Sequence, residues 1–133
     1  MLKIEHIGIA VKSLSESSRV YERLLNTKIY KHEEVVSEKV MVDFFKVGEQ
    51  KIELLEATSN ISSIARFIEN RGEGLHHVAF AVNDIYAEMS RLKAEGFTLL
   101  SDEPRLGADN KLVCFVHPKD CSGVLIELCQ EIS

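Results

Sequence analysis

Glu5-His6-Ile7-Gly8-Ile9-Ala10-Val11 and His76-His77-Val78-Ala79-Phe80-Ala81-Val82 are two versions of one segment, and their repetition decides how the chain is read. The polar-then-apolar step after each copy, Ser13-Leu14 and Asp84-Ile85, repeats with them. Further along, Ile52-Glu53-Leu54 returns as Ile126-Glu127-Leu128, with only a few residues gained between the two copies. Self-similarity at a fixed spacing marks a supersecondary unit used more than once. The 133 residues therefore read as a single domain built of two modules, about 1–58 and about 75–133.

Each repeated segment is short and alternates, which predicts a strand. Ser13-Leu14-Ser15-Glu16 is a capping-box pattern, and Leu14, Tyr21, Leu24 and Leu25 follow at helical spacing. In the second copy Asp84 is the expected cap, Ile85, Met89 and Leu92 share a face, and Gly96 ends the helix. Three more strands are expected in each half, over 28–36, 40–47 and 50–56 and over 97–101, 111–117 and 123–129. The order is β-α-β-β-β, twice. Between the halves, over about 60–72, Ile61, Ile64, Ala65 and Ile68 form the stripe of a short amphipathic helix that Gly72-Glu73-Gly74 closes.

Composition narrows the partners. A chain 45% hydrophobic and 28% charged is of the ordinary globular kind. No apolar run reaches the roughly 18 residues of a membrane span, and the N-terminal residues read as a strand, not as a signal peptide. The net charge of −5 carries no basic cluster, which argues against nucleic acid and anionic membrane as partners. Three cysteines without a Cys-x-x-Cys pair, Cys114, Cys121 and Cys129, point to structural thiols in a reducing, cytoplasmic setting.

Four residues stand out against this background. On the first strand Ile7, Ile9 and Val11 share one face, so His6, Gly8 and Ala10 share the other; His77, Ala79 and Ala81 do the same in the second copy. Small residues after a histidine leave room beside the imidazole. Glu53 and Glu127 each sit inside an apolar strand, where a carboxylate is costly to bury without a partner. A lone strand histidine or glutamate has ordinary structural explanations, but both oddities recur in register in both halves. Two imidazoles and two carboxylates suit one divalent ion with positions left for water or substrate. By strand parity His76 faces away from His77 and is not a ligand; His32 and His117 read as loop or strand-end residues.

The paired His-x-Gly/Ala-x-Ala and Ile-Glu-Leu motifs resemble the vicinal oxygen chelate superfamily, which includes glyoxalase I, extradiol dioxygenases and fosfomycin resistance proteins. The resemblance covers essentially the whole chain. It implies an α+β fold in which two pseudo-symmetric βαβββ modules form a cupped, incomplete β-barrel around a metal site. Residues 51–56, 71–80, 103–108, 117–119 and 123–128 are similar in particular to the methylmalonyl-CoA epimerase family. That likeness implies His6, Glu53, His77 and Glu127 as ligands of one divalent ion, Co2+, Mn2+, Zn2+, Ni2+ or Mg2+. It also implies an acyl-CoA substrate, a homodimer, and epimerisation at C2 through an enolate. Glu127 would serve one face of the enolate, and a carboxylate from the third strand of module 1 the other. Asp43, the one carboxylate in Val40-Met41-Val42-Asp43-Phe44-Phe45, is the candidate for that second role, with an exposed aspartate on the sheet face as the alternative reading. Arg105, Gly107 and Lys119 are the expected substrate contacts, in loops beside the later strands of module 2.

Two rival readings accompany this one. A glyoxalase I-like lyase acting on a glutathione hemithioacetal shares the ligand set and the enediolate chemistry. A drug-sequestering binding protein of the same fold needs no ligands, and the intact set of four argues against it. In an extradiol dioxygenase, with two histidines and one carboxylate on iron, Glu53 would be surplus.

Overall fold

A computed structural model describes residues 1–132, and the segments that alternate in sequence are its strands. The first half runs β1 (Lys3–Ala10), α1 (Leu14–Leu25), β2 (Lys31–Val35), β3 (Val40–Val47) and β4 (Gln50–Ala57). Helix α2 (Ser63–Arg71) follows. The second half runs β5 (Gly74–Ala81), α3 (Ile85–Ala94), β6 (Arg105–Gly107), β7 (Lys111–Val116) and β8 (Ile126–Glu131). The protein is thus α+β, with the β-α-β-β-β order present twice. No helix among the described residues is long and apolar enough to cross a membrane.

The chain divides into two compact units, one of residues 6–76 and one that joins residues 1–5 to 77–133. In the first, neighbouring strands run β2-β3-β4-β1. Strand β1 is parallel to β4, with Gly8 opposite Glu53, and β3 is antiparallel to both β2 and β4. The β3–β4 hairpin turns over Gly48 and Glu49, with Val47 paired to Gln50. Gly48 has φ +64, the positive value that the first central residue of a type II′ turn adopts and glycine tolerates. Val11, Leu14, Phe45 and Leu54 form the core under α1, joined by Ile9, Tyr21, Leu25 and Ile52. Leu24 lies off that stripe and is exposed, contrary to the reading that set it with Tyr21 and Leu25.

In the second unit the strand order is β5-β8-β7-β6, with β5 parallel to β8 and Ala79 opposite Glu127. Ile85, Met89 and Leu92 of α3 close over Cys114, Val116 and Leu128. The N–H of Leu2 donates to the carbonyl of Ala81 at 2.8 Å, which ties the first residues to this unit. The expected strand over 97–101 is corrected. That segment makes one bridge, Leu99 to Val116, and the strand proper, β6, begins at Arg105. The chain from Leu99 to Arg105 is longer than the stretch of β7 it faces, Val113 to Val116, so it bulges out. Pro104, with no N–H to give a ladder, sits in that bulge.

The helices begin as their caps predict. Ser13 Oγ accepts from the N–H of Glu16 at 3.3 Å, and Asp84 Oδ1 from that of Ala87 at 3.1 Å. A second cap is less obvious and also repeats. Glu56 Oε1 accepts from the N–H of Leu14 at 2.6 Å, and Gln130 Oε1 from that of Ile85 at 2.7 Å. These side chains stand three residues after Glu53 and Glu127, hence on the opposite, helix-bearing face of the same strands. Each carboxylate-bearing strand is thereby locked to the start of its helix. Gln130→Ala should leave the Ile85 N–H unpaired and cost about 1 kcal/mol. Urea unfolding should show a lowered midpoint at unchanged slope, and an unchanged midpoint would refute the lock.

Candidate functional site

His6 lies two residues before Gly8 on β1, and Gly8 is the residue directly opposite Glu53 on β4. With no side chain at position 8, the imidazole and the carboxylate meet diagonally: His6 Nδ1 is 3.2 Å from Glu53 Oε2. Both residues are buried. The second unit repeats the device with alanine in place of glycine. Ala79 is opposite Glu127, and His77 Nε2 is 3.3 Å from Glu127 Oε1, again in a buried setting. Phe115, directly across from Glu127 on β7, sets its ring edge-on to His77 at 5.9 Å between centroids.

The expected room beside His77 is only partly present, because Ala79 packs against Val113 and Cys129 in a small closed cluster. That face holds the His77–Glu127 pair; the opposite face carries Leu128 and Val116 under α3. In the first unit the same partition holds, with Ile52 and Leu54 towards α1 and Glu53 on the other side.

A metal fits these pairs chemically. Imidazole nitrogen and carboxylate oxygen are donors for borderline and hard divalent ions. Around a six-coordinate ion with bonds near 2.1 Å, adjacent ligand atoms stand about 3 Å apart. The 3.2 Å and 3.3 Å separations are close to that edge. Each half therefore presents two donors already at ligand spacing.

Asp43 is placed differently from the expectation. It pairs in register with Leu54, and so lies on the α1 side of the sheet, while its neighbour Phe44 is the residue opposite Glu53. Asp43 is buried, which excludes an exposed sheet-face role, and its carboxylate is satisfied locally. Ser18 of α1 donates to Oδ2 at 2.5 Å, and His32 Nδ1 contacts Oδ1. The sheet itself separates this group from Glu53, so Asp43 does not share a site with it. His32, next to the start of β2, is a strand-end residue as expected, and it belongs to this cluster.

Arg105 opens strand β6, so it is not in a loop, and it is exposed; Lys119 is exposed in a short 3-10 turn over Pro118–Asp120. At Gly107 an added Cβ would stand 2.9 Å from Val113 Cγ1. That glycine serves the packing of β6 on β7, which explains it without a ligand. His117 caps the 3-10 turn, its Nδ1 accepting from the N–H of Lys119 at 3.0 Å. His76, turned away from His77 by parity, meets Phe67 of α2 edge-on at 5.1 Å. The cysteines are unpaired with one another, and burial pushes the thiols of Cys114 and Cys121 up.

Residues 5–115 match the model of the Glyoxalase/Bleomycin resistance protein/Dioxygenase superfamily. The chain belongs to this superfamily. It is 38% identical over 130 residues to the uncharacterized protein YqjC of Bacillus subtilis, covering 98% of this chain and 93% of the relative. To the ethylmalonyl-CoA/methylmalonyl-CoA epimerase of Cereibacter sphaeroides it is also 38% identical, covering 96% of this chain and 97% of that protein. Among solved structures, a Streptomyces coelicolor methylmalonyl-CoA epimerase in complex with 2-nitronate-propionyl-CoA superposes with a TM-score of 0.96 at 32% identity. The coverage there is 100% of this chain and 99% of the other.

Two consequences of the geometry can be measured. Asp43→Ala should orphan Ser18 and His32 and cost about 1–3 kcal/mol of stability. Divalent-ion affinity by calorimetry should change less than about twofold, because a site on the far face is independent of it. A loss of affinity as large as that of Glu53→Ala would place Asp43 in the site after all.

Proposed function

We propose that the protein is a metal-dependent methylmalonyl-CoA epimerase, interconverting the 2R and 2S epimers by proton transfer at C2. The observation that carries the reading is the twofold repetition of a buried histidine–glutamate pair in a chain similar, end to end, to acyl-CoA epimerases. His6, Glu53, His77 and Glu127 together would hold one divalent ion. When bound, that ion supplies Lewis acidity that favours loss of a proton beside a thioester and a carboxylate.

The chain's own residues do the rest. Glu127, in the middle of β8, accepts the C2 proton on one face of the substrate. Its Oε1 faces His77 Nε2 at 3.3 Å, which fixes the carboxylate on its strand. The apolar strand around it keeps water from competing for the proton, since Leu128 and Cys129 are buried to either side of the backbone. Gln130, capping α3, holds the strand in register behind the carboxylate. Inversion also needs an acid on the opposite face of the enolate. With Asp43 on the helix side of the sheet, that acid is a different group.

The test uses one epimer of methylmalonyl-CoA in heavy water with the ion-loaded protein. Deuterium should enter C2, with inversion followed by a chiral coupling enzyme. Glu127→Gln should slow exchange at least about 100-fold, and a chelator should abolish it. Turnover of the methylglyoxal–glutathione adduct without exchange at C2 would move the protein to lactoylglutathione lyase chemistry. Equilibrium dialysis should find one ion per chain, with alanine at any of the four ligands weakening binding at least about tenfold. Full affinity in the His6→Ala protein would remove the first half from the site.

A further inference from the structure

The doubled fold places a phenylalanine directly opposite each ligand glutamate: Phe44 across from Glu53 and Phe115 across from Glu127. Each shares the face of the carboxylate it opposes. The two rings differ in what surrounds them. Phe44 is completely buried, with the Tyr30 ring 5.8 Å away and the Lys31 ammonium 5.7 Å from its centroid. Phe115 is only half-buried and leans edge-on against His77. Of the other apolar side chains of that face, Ala79, Val113 and Cys129 are closed on one another, and Ala81, half-buried, carries only a methyl group. Phe115, directly opposite Glu127, is therefore the large side chain of that face that keeps apolar surface to offer beside the carboxylate.

A 2-alkylmalonyl thioester has four groups on C2. The proton goes to the base, and the carboxylate and thioester oxygens need polar partners. The alkyl group is left for an apolar wall. Resting on the epimerase reading, we propose that the Phe115 ring is that wall and sets the size of the C2 alkyl group the enzyme accepts. Phe44, buried among its own neighbours, has no such role.

The experiment compares kcat/KM for methylmalonyl-CoA and ethylmalonyl-CoA in the ion-loaded wild type, Phe115→Leu and Phe115→Ala. The ethyl-to-methyl ratio should rise about tenfold or more in Phe115→Ala, the scale of one methylene in a closed pocket. Phe115→Leu should fall between, and it carries the test if the alanine variant does not fold. Equal losses on both substrates, with the ratio unchanged, would overturn the proposal. Phe44→Leu should lower the unfolding midpoint and leave the ratio as in the wild type; a shift matching that of Phe115→Leu would also overturn it. If the wild type exchanges the C2 proton of neither substrate, the epimerase reading has failed first, and the inference goes with it.

Discussion

Two carboxylates buried in apolar strands are the constraint around which the rest of this protein is arranged. A glutamate between isoleucine and leucine is costly to desolvate, and each of these is met by an imidazole at hydrogen-bonding distance. The meeting depends on a small residue directly opposite the glutamate, glycine in one half and alanine in the other. It depends as well on the parallel pairing that brings the first strand of each half beside the last. Removing one partner would leave a buried charge or a buried ring nitrogen without its match. That is why the same three-residue arrangement, histidine, small residue and facing glutamate, recurs intact in both copies.

The helices serve that arrangement from the other side. Each of these glutamate-bearing strands turns a second polar residue, Glu56 or Gln130, towards its helix and gives the first turn an acceptor. Adjacent apolar residues of the strand fill the core under the helix. The strand thus has a chemical face and a packing face, and one-residue slippage would exchange them. Side chains carried on such strands are held more stiffly than side chains on loops would be.

Much of this was legible in the sequence because period-two alternation and the internal repeat are both local signals. Parity and repetition alone single out His6, Glu53, His77 and Glu127 as unusual, and their meeting as buried pairs within each half follows from the parallel ladder. Asp43 was misjudged because its face depends on the register between β3 and β4, which no single strand reveals. The signal that would have settled it was the Gly48-Glu49 pair. Read as a two-residue hairpin turn, it sets Val47 against Gln50 and hence Asp43 against Leu54, on the packing side. The strand over 97–101 failed for a related reason: alternation marks the residues that can pair, but the bulge that contains Pro104 decides which of them do. The unequal burial of Phe44 and Phe115 was beyond reach, since it arises from neighbours on other strands.

The first five residues belong with the unit that is translated last, and Leu2 finds its hydrogen-bond partner only at Ala81. On the ribosome the opening of the chain therefore has to wait, unpaired and with Leu2 and Ile4 still exposed in the finished unit, while more than half of the protein is made. Folding of this molecule cannot be strictly vectorial. A long-range closure of that kind raises contact order and slows the final step. The unit of residues 6–76, by contrast, has all of its own chain before the second is made.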